Sequence, residues 1–270
     1  MYYQKLSIPV DQHHVEVLYY KAKNPNRPVI FEMHGGGFMF GSATSDAIMC
    51  HRLRNELDVN VASIEYTLTT EAPYPTQLNE VYETMLYFYQ HADEYQVNPN
   101  KFITFGHSAG ANLATAVCLK VNETQAFKVC LQIMDYPYLD LVSNSYEKEQ
   151  LSGSIGPKFM EMFKERYAGD QDPACPLISP LKASDEQLQQ MPPAVIVLAE
   201  YDGLKHEGLA YANQLIKNCV ETHVKTVKKA PHAFMEKYFS ASRVIMTKYK
   251  EEQAFVWIKG HLQYYINRPF

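Results

Sequence analysis

The sequence lacks any uninterrupted apolar run that approaches the length of a membrane-spanning helix. Met1-Tyr2-Tyr3-Gln4-Lys5 leads straight into strand-like sequence, with no basic segment followed by an apolar stretch. A secretory leader is therefore not expected. There is no basic excess either. Lys and Arg number 25 against 30 Asp and Glu, the net charge is −5 and the pI is about 6.1. This argues against nucleic acid, whose binders carry a basic face. The pair Lys228-Lys229 is too short to change that and reads as a solvated strand end. Five cysteines (Cys50, Cys118, Cys130, Cys175, Cys219) are an odd number and form no C-x-x-C pair. Neither a disulfide framework nor a zinc site is suggested. Most of them read as small hydrophobes in apolar surroundings. A reducing, cytoplasmic setting without membrane attachment is the expectation. Nothing fixes the oligomeric state, and a homodimer is compatible with the sequence.

No repeat, low-complexity tract or Gly/Ser-rich linker divides the chain, so its 270 residues are expected to form one domain. Apolar residues make up 46% and charged residues 20%, with both signs mixed, which is a globular composition. A chain of this size buries enough apolar surface to need no staples.

What is present is an alternation of strands and helices. Strands are predicted at His14 to Tyr20, Val29 to Met33, Asn60 to Tyr66, Lys101 to Phe105, Phe127 to Met134, Ala194 to Ala199 and Thr222 to Val227. Helices are predicted at Thr44 to Leu57, Pro75 to His91, Ser108 to Val121, Leu204 to Asn218 and Ser240 to His261. Asn24 to Pro28 reads as a turn. This order implies a mainly parallel sheet with helices on both faces. Leu141 to Pro180 interrupts the alternation and contains a short apolar helix pattern at Phe159, Met160, Met162, Phe163 and Tyr167. We read it as an insertion over the sheet's carboxyl edge, where open α/β sheets bind ligands. An ordinary packed helix with a long loop is the alternative.

Gly106-His107-Ser108-Ala109-Gly110 stands between a predicted strand and a predicted helix. G-x-S-x-G in that context is a nucleophile elbow: a sharp turn with small neighbours projects the hydroxyl at a helix N-terminus. His34-Gly35-Gly36-Gly37 directly follows the strand Val29 to Met33. Glycines let backbone N–H groups approach an oxyanion closely. Gly35, Gly36 and Ala109 are the candidate oxyanion donors. A serine nucleophile needs a histidine base, and that base an acid behind it, in the chain order Ser, acid, His. His232 lies in a loop just past the strand Thr222 to Val227, at the same edge as Ser108, while His206 is a weaker competitor. His223 begins a strand and His261 ends the last helix. Asp202 follows the strand Ala194 to Ala199 and is the candidate acid, with Glu200 and Asp185 as alternatives. Asp202 also suits an N-cap of the following helix. His13-His14 opens a strand with no third ligand nearby, and His34 and His107 read as loop-shaping residues.

Together these segments resemble the hormone-sensitive-lipase-like branch of the α/β-hydrolases. His34-Gly35-Gly36-Gly37-Phe38 with Gly41-Ser42 is similar to its oxyanion segment. Glu65-Tyr66 with Pro73-Tyr74-Pro75 is similar to its D-Y-R-L-A-P-E region. Gly106 to Gly110 resembles its G-D-S-A-G elbow, and Pro231-His232-Ala233-Phe234 its terminal H-x-F. Ile178 to Leu181, Pro192 to Ala194, Asp202-Gly203-Leu204 and Glu207-Gly208 resemble its acid region. The resemblance spans about residues 28 to 265. His107 departs from the elbow's usual Asp, and Gly203 from the Pro after the acid. The N-terminal cap helices of many relatives have no counterpart, so residues 141 to 180 would supply most of a small cap. The resemblance implies an α/β-hydrolase fold and hydrolysis of small short-chain carboxylic esters through an acyl-enzyme, with no metal or organic cofactor. A sugar-ester deacetylase, an amidase or peptidase, and a non-catalytic binding protein on this fold are the rival readings.

Overall fold

The computed structural model describes residues 3–236 and 241–268 of the chain. Strands β1 (Gln4–Val10) and β2 (His13–Tyr20) form a hairpin and are followed by β3 (Arg27–Met33). A single 3₁₀ turn, Ala43–Asp46, then leads into α1 (Ala47–Leu57) and β4 (Asn60–Glu65). Next come α2 (Thr76–Gln90), the one-turn α3 (Ala92–Tyr95), β5 (Val97–His107), α4 (Ala109–Thr124) and β6 (Val129–Asp135). After α5 (Pro157–Ala168) and the one-turn α6 (Asp185–Leu188), β7 (Ala194–Ala199), α7 (Lys205–Lys217), β8 (Thr222–Val227) and α8 (Ala241–Asn267) complete the order. Ser240, where the sequence reading starts the last helix, lies outside the described residues.

The eight strands form one sheet in the order β1-β2-β4-β3-β5-β6-β7-β8. β1, β2 and β4 pair antiparallel, and every other neighbouring pair is parallel. The central strands read as continuous apolar runs because both of their faces are covered. All six residues of β7 are buried. Successive side chains go to opposite faces. Phe31 and Met33 join a core with α2 and α4, while Ile30 joins the core under α1 and α8. On β7, Val195 and Val197 face the α8 side, and Ile196 and Leu198 pack towards α7.

Several boundaries differ from the sequence reading. β5 starts at Val97 because that residue pairs with Arg27, a long-range contact that the polar Asn98-Pro99-Asn100 conceals. Arg27 and Pro28, read as turn, are the first residues of β3. α8 runs past His261 to Asn267, since Leu262, Tyr265 and Ile266 continue the buried stripe. Cys50, Cys118 and Cys130 are buried, but Cys219 is exposed. Among the described residues, no helix is long and apolar enough to cross a membrane.

Candidate active site

β5 delivers the chain to Ser108, and α4 starts one residue later. Ser108 has φ 52° and ψ −112°, a conformation that costs a non-glycine residue about 1–3 kcal/mol and is kept only where neighbours enforce it. The enforcement is visible. Ser108 N–H donates to Asp135 O at 2.9 Å, and the carbonyl of Ser108 accepts from Asn112 and Tyr138 N–H. The two flanking glycines are required by space. A Cβ on Gly106 would stand 2.2 Å from Gly110 O, and one on Gly110 would stand 2.0 Å from Met33 O. The elbow is thus wedged against the end of β3, the strand that leads into His34-Gly35-Gly36-Gly37.

His232 lies in the loop beyond β8, and its Nε2 is 2.9 Å from Ser108 Oγ. Its Nδ1 is 2.6 Å from Asp202 Oδ2. Asp202 follows β7, is fully buried, and also accepts from Leu204 N–H at 3.2 Å. The N-cap of α7 is Leu204 and not Asp202 as the sequence suggested; the Asp202 bond to Leu204 N–H is a turn contact two residues on, made by Oδ1 and so leaving Oδ2 for His232. Burial by itself would lower the His232 imidazole, but the charge and hydrogen bond of Asp202 outweigh it and hold it above its ordinary value. Tyr136 packs edge-on against the His232 ring at 5.0 Å, and His232 N–H donates to Gly153 O.

The competing residues lie elsewhere. His206 is exposed and bonds Glu149 Oε2 at 2.7 Å. His223, on β8, packs against His261 of α8 with ring centroids 4.3 Å apart and the rings tilted by 34°. Glu200 Oε2 accepts from Lys229 N–H, and Asp185 pairs with Lys217. His13 contacts Glu80, and His34 stacks on Tyr66 at 4.2 Å, with its Nδ1 2.8 Å from Gly35 O. His34 thus shapes the glycine loop.

Ser108 and His232 open on a cavity of about 280 Å³. Gly36, Gly37 and Phe40 line one side, and Ile155, Phe159 and Phe163 from the segment 141–180 line another. Gly35 borders the adjoining pocket, where a Cβ would meet the Glu236 carboxylate at 2.1 Å. Gly37 must be glycine because the Phe163 ring lies 2.5 Å from where its Cβ would be. Ala109 N–H is a first-turn helix donor with no acceptor inside the helix.

Two site features escape sequence reasoning. Glu236 lines the cavity, and burial together with the Asp46 carboxylate pushes it up to about 7. No spacing pattern marks it. Gly203, which departs from the related pattern, has a steric cause: a Cβ there would stand 2.2 Å from Glu149 O. Its N–H donates to Ser154 Oγ at 2.9 Å, so the segment 141–180 rests directly on the Asp202 loop. Glu207, buried on α7, anchors the start of that segment by accepting from Leu139 and Asp140 N–H and from Lys148 Nζ, each at 2.7 Å.

A family model described as alpha/beta hydrolase fold matches residues 30–236. A protein of Acanthamoeba polyphaga mimivirus named as an alpha/beta hydrolase is 33% identical over 80% of this chain and 63% of its own length. An arylesterase of Saccharolobus solfataricus is 31% identical over 81% of this chain and 72% of its own. The chain thus spans about two thirds of the length of these relatives. The crystal structure of carboxyl esterase 2 from the fungus Tuber melanosporum superposes with TM-score 0.88 at 25% identity, covering 98% of this chain and 86% of that one. Elbow, glycine loop, sheet order and relatives agree: this chain belongs to the alpha/beta hydrolase family, in the hormone-sensitive-lipase-like branch that its motifs resemble.

Proposed function

We propose that this protein is a serine carboxylesterase that hydrolyses small esters of short acyl chains through an acyl-enzyme. The observation that carries it is the unbroken hydrogen-bonded chain Asp202–His232–Ser108 opening on a small aromatic cavity. The esterase names of the Saccharolobus and Tuber relatives support the same chemistry.

Asp202 fixes the proton on His232 Nδ1, which leaves Nε2 as an acceptor for the Ser108 hydroxyl. Ser108 Oγ attacks the ester carbonyl while its proton passes to His232. The oxyanion of the tetrahedral intermediate is met by backbone N–H groups drawn from Gly35, Gly36 and Ala109. His232 then protonates the leaving alcohol. Water, deprotonated by the same imidazole, attacks the acyl-Ser108 carbonyl; the acyl–Oγ bond breaks, His232 returns the proton to Ser108 Oγ, and the carboxylic acid leaves. We read residues 141–180 as a small cap of a single domain, working in a reducing compartment that keeps the five cysteines free.

The volume of the cavity beside Ser108 supports the short-chain reading. A cavity of about 280 Å³ is just below the usual range of ligand pockets, which begins at about 300 Å³, and the rings of Phe159 and Phe163 line it. Nitrophenyl acetate and butyrate are expected to exceed nitrophenyl decanoate in kcat/KM by about tenfold or more. Phe163→Ala should move the optimum towards longer chains. Decanoate preferred by the unaltered protein would reject the short-chain reading, and acetylated sugars outpacing all three esters would favour the deacetylase reading.

A further inference from the structure

Beneath the elbow, the sheet face under α1 carries a row of polar residues where apolar ones would be expected. Ser63, Glu32, His107 and Asp135 lie on the neighbouring strands β4, β3, β5 and β6, near their carboxyl ends. Asp46, the last residue of the 3₁₀ turn before α1, belongs to the same cluster. Glu32, His107 and Asp135 are fully buried, and Asp46 is 3% exposed. Burial of this kind is expensive unless each group is paired or bound to a cation.

The pairing is incomplete. Ser63 Oγ and Cys50 Sγ occupy one oxygen of Glu32, Oε2, at 2.5 and 3.8 Å. Its other oxygen, Oε1, accepts from no hydroxyl, thiol or N–H donor, and neither does Asp46 Oδ2 nor Asp135 Oδ1, while His107 Nε2 is also unpartnered. The Glu32 and Asp46 carboxyl groups lie close enough to share a proton when no cation is bound. One ligand atom from each of these three residues lies within 4.8 Å of the other two. Donors held at roughly 2.0–2.2 Å from a shared cation stand about 3–4 Å apart, so only a small contraction is needed. His107 Nδ1 faces Asp135 Oδ2 at 3.1 Å, on the opposite side of the ring from Nε2. A carboxylate behind a histidine is the arrangement that orients a metal-ligating imidazole.

We propose that Glu32, Asp46 and His107 bind a buried divalent cation of the zinc–manganese class, with Asp135 orienting His107. One imidazole nitrogen and two carboxylate oxygens suit those ions better than magnesium or calcium, which prefer oxygen alone. The cation is structural. It would tie the end of β3, from which the glycine loop departs, to the end of β5, which leads into Ser108, and to the start of α1. It is separate from the ester chemistry and stands whether or not that chemistry is an esterase.

The test begins with metal content. Protein produced with zinc or manganese in the medium and desalted should carry about one equivalent per chain by elemental mass spectrometry. Refolding with one of these ions rather than with a chelator should raise Tm by on the order of 5 °C. Glu32→Gln should lose the metal and the Tm response together. Unaltered protein below about 0.1 equivalent, with a Tm indifferent to both ions, would overturn the site and leave the cluster as a proton-sharing network. The metal content of the unaltered protein decides the question even if Glu32→Gln does not fold.

Discussion

Ser108→Ala is expected to lower kcat on nitrophenyl acetate by about 10⁶, down to the residual rate that oxyanion donors and binding alone sustain. The loss should fall on kcat and not on KM, because the serine oxygen is needed only once the substrate is bound. The fold should survive. Alanine retains a Cβ, so the strain at φ 52° is unchanged, and the backbone bonds of residue 108 to Asp135, Asn112 and Tyr138 do not involve the hydroxyl. Tm within a few degrees of the unaltered protein, together with near-complete loss of turnover, separates chemistry from unfolding. Ester turnover that survived in Ser108→Ala would move the nucleophile elsewhere.

The second large effect is at Asp202. Asp202→Asn preserves shape but presents an amide N–H₂ towards His232 Nδ1, which favours the tautomer carrying its proton on Nε2. That tautomer cannot accept from Ser108, and kcat should fall by about 10⁴. The pH profile supplies a further readout. In the unaltered protein His232 titrates above its ordinary 6.5, since Asp202 overrides the effect of burial. If His232 is the base, as proposed, its neutral form is the active one, so activity should rise with pH through a midpoint above 6.5. In Asp202→Asn burial is no longer opposed by that carboxylate, and the residual activity should rise at lower pH. The stability linkage has the matching sign. A raised folded-state value favours folding at pH below 6.5, and that contribution is lost as pH climbs through the folded-state value. A limb unmoved in Asp202→Asn would mean that another group governs it.

Much of this site is written in local sequence. Gly106 to Gly110 and His34 to Gly37 are contiguous, and each depends on the strand just before it, which alternation and β-branched content reveal. His232 and Asp202 were reachable because they follow buried strands in a parallel sheet, which puts both loops at the same edge. What stayed hidden is long-range. Glu236 reaches the cavity next to Gly35 with no pattern of its own. Gly203 reads as a departure until Glu149 O is seen lying against it. His107 likewise looks like a loop-shaping substitution, and only sheet register sets it against Asp135 and beside Glu32. The segment 141–180 yields its helix to the periodicity of Phe163 and Tyr167. Phe159, in contrast, belongs to no buried stripe: it is half exposed at the cavity wall.

The most direct measurement is to map the adduct formed with a fluorophosphonate, which reacts with a serine only when a base and oxyanion donors stand beside it. Intact-mass and peptide analysis should find one phosphonyl group per chain, on the peptide containing Ser108, with ester hydrolysis lost in proportion to labelling. An unlabelled chain that still hydrolysed esters, or an adduct on a different residue, would contradict the assignment of Ser108 as the nucleophile.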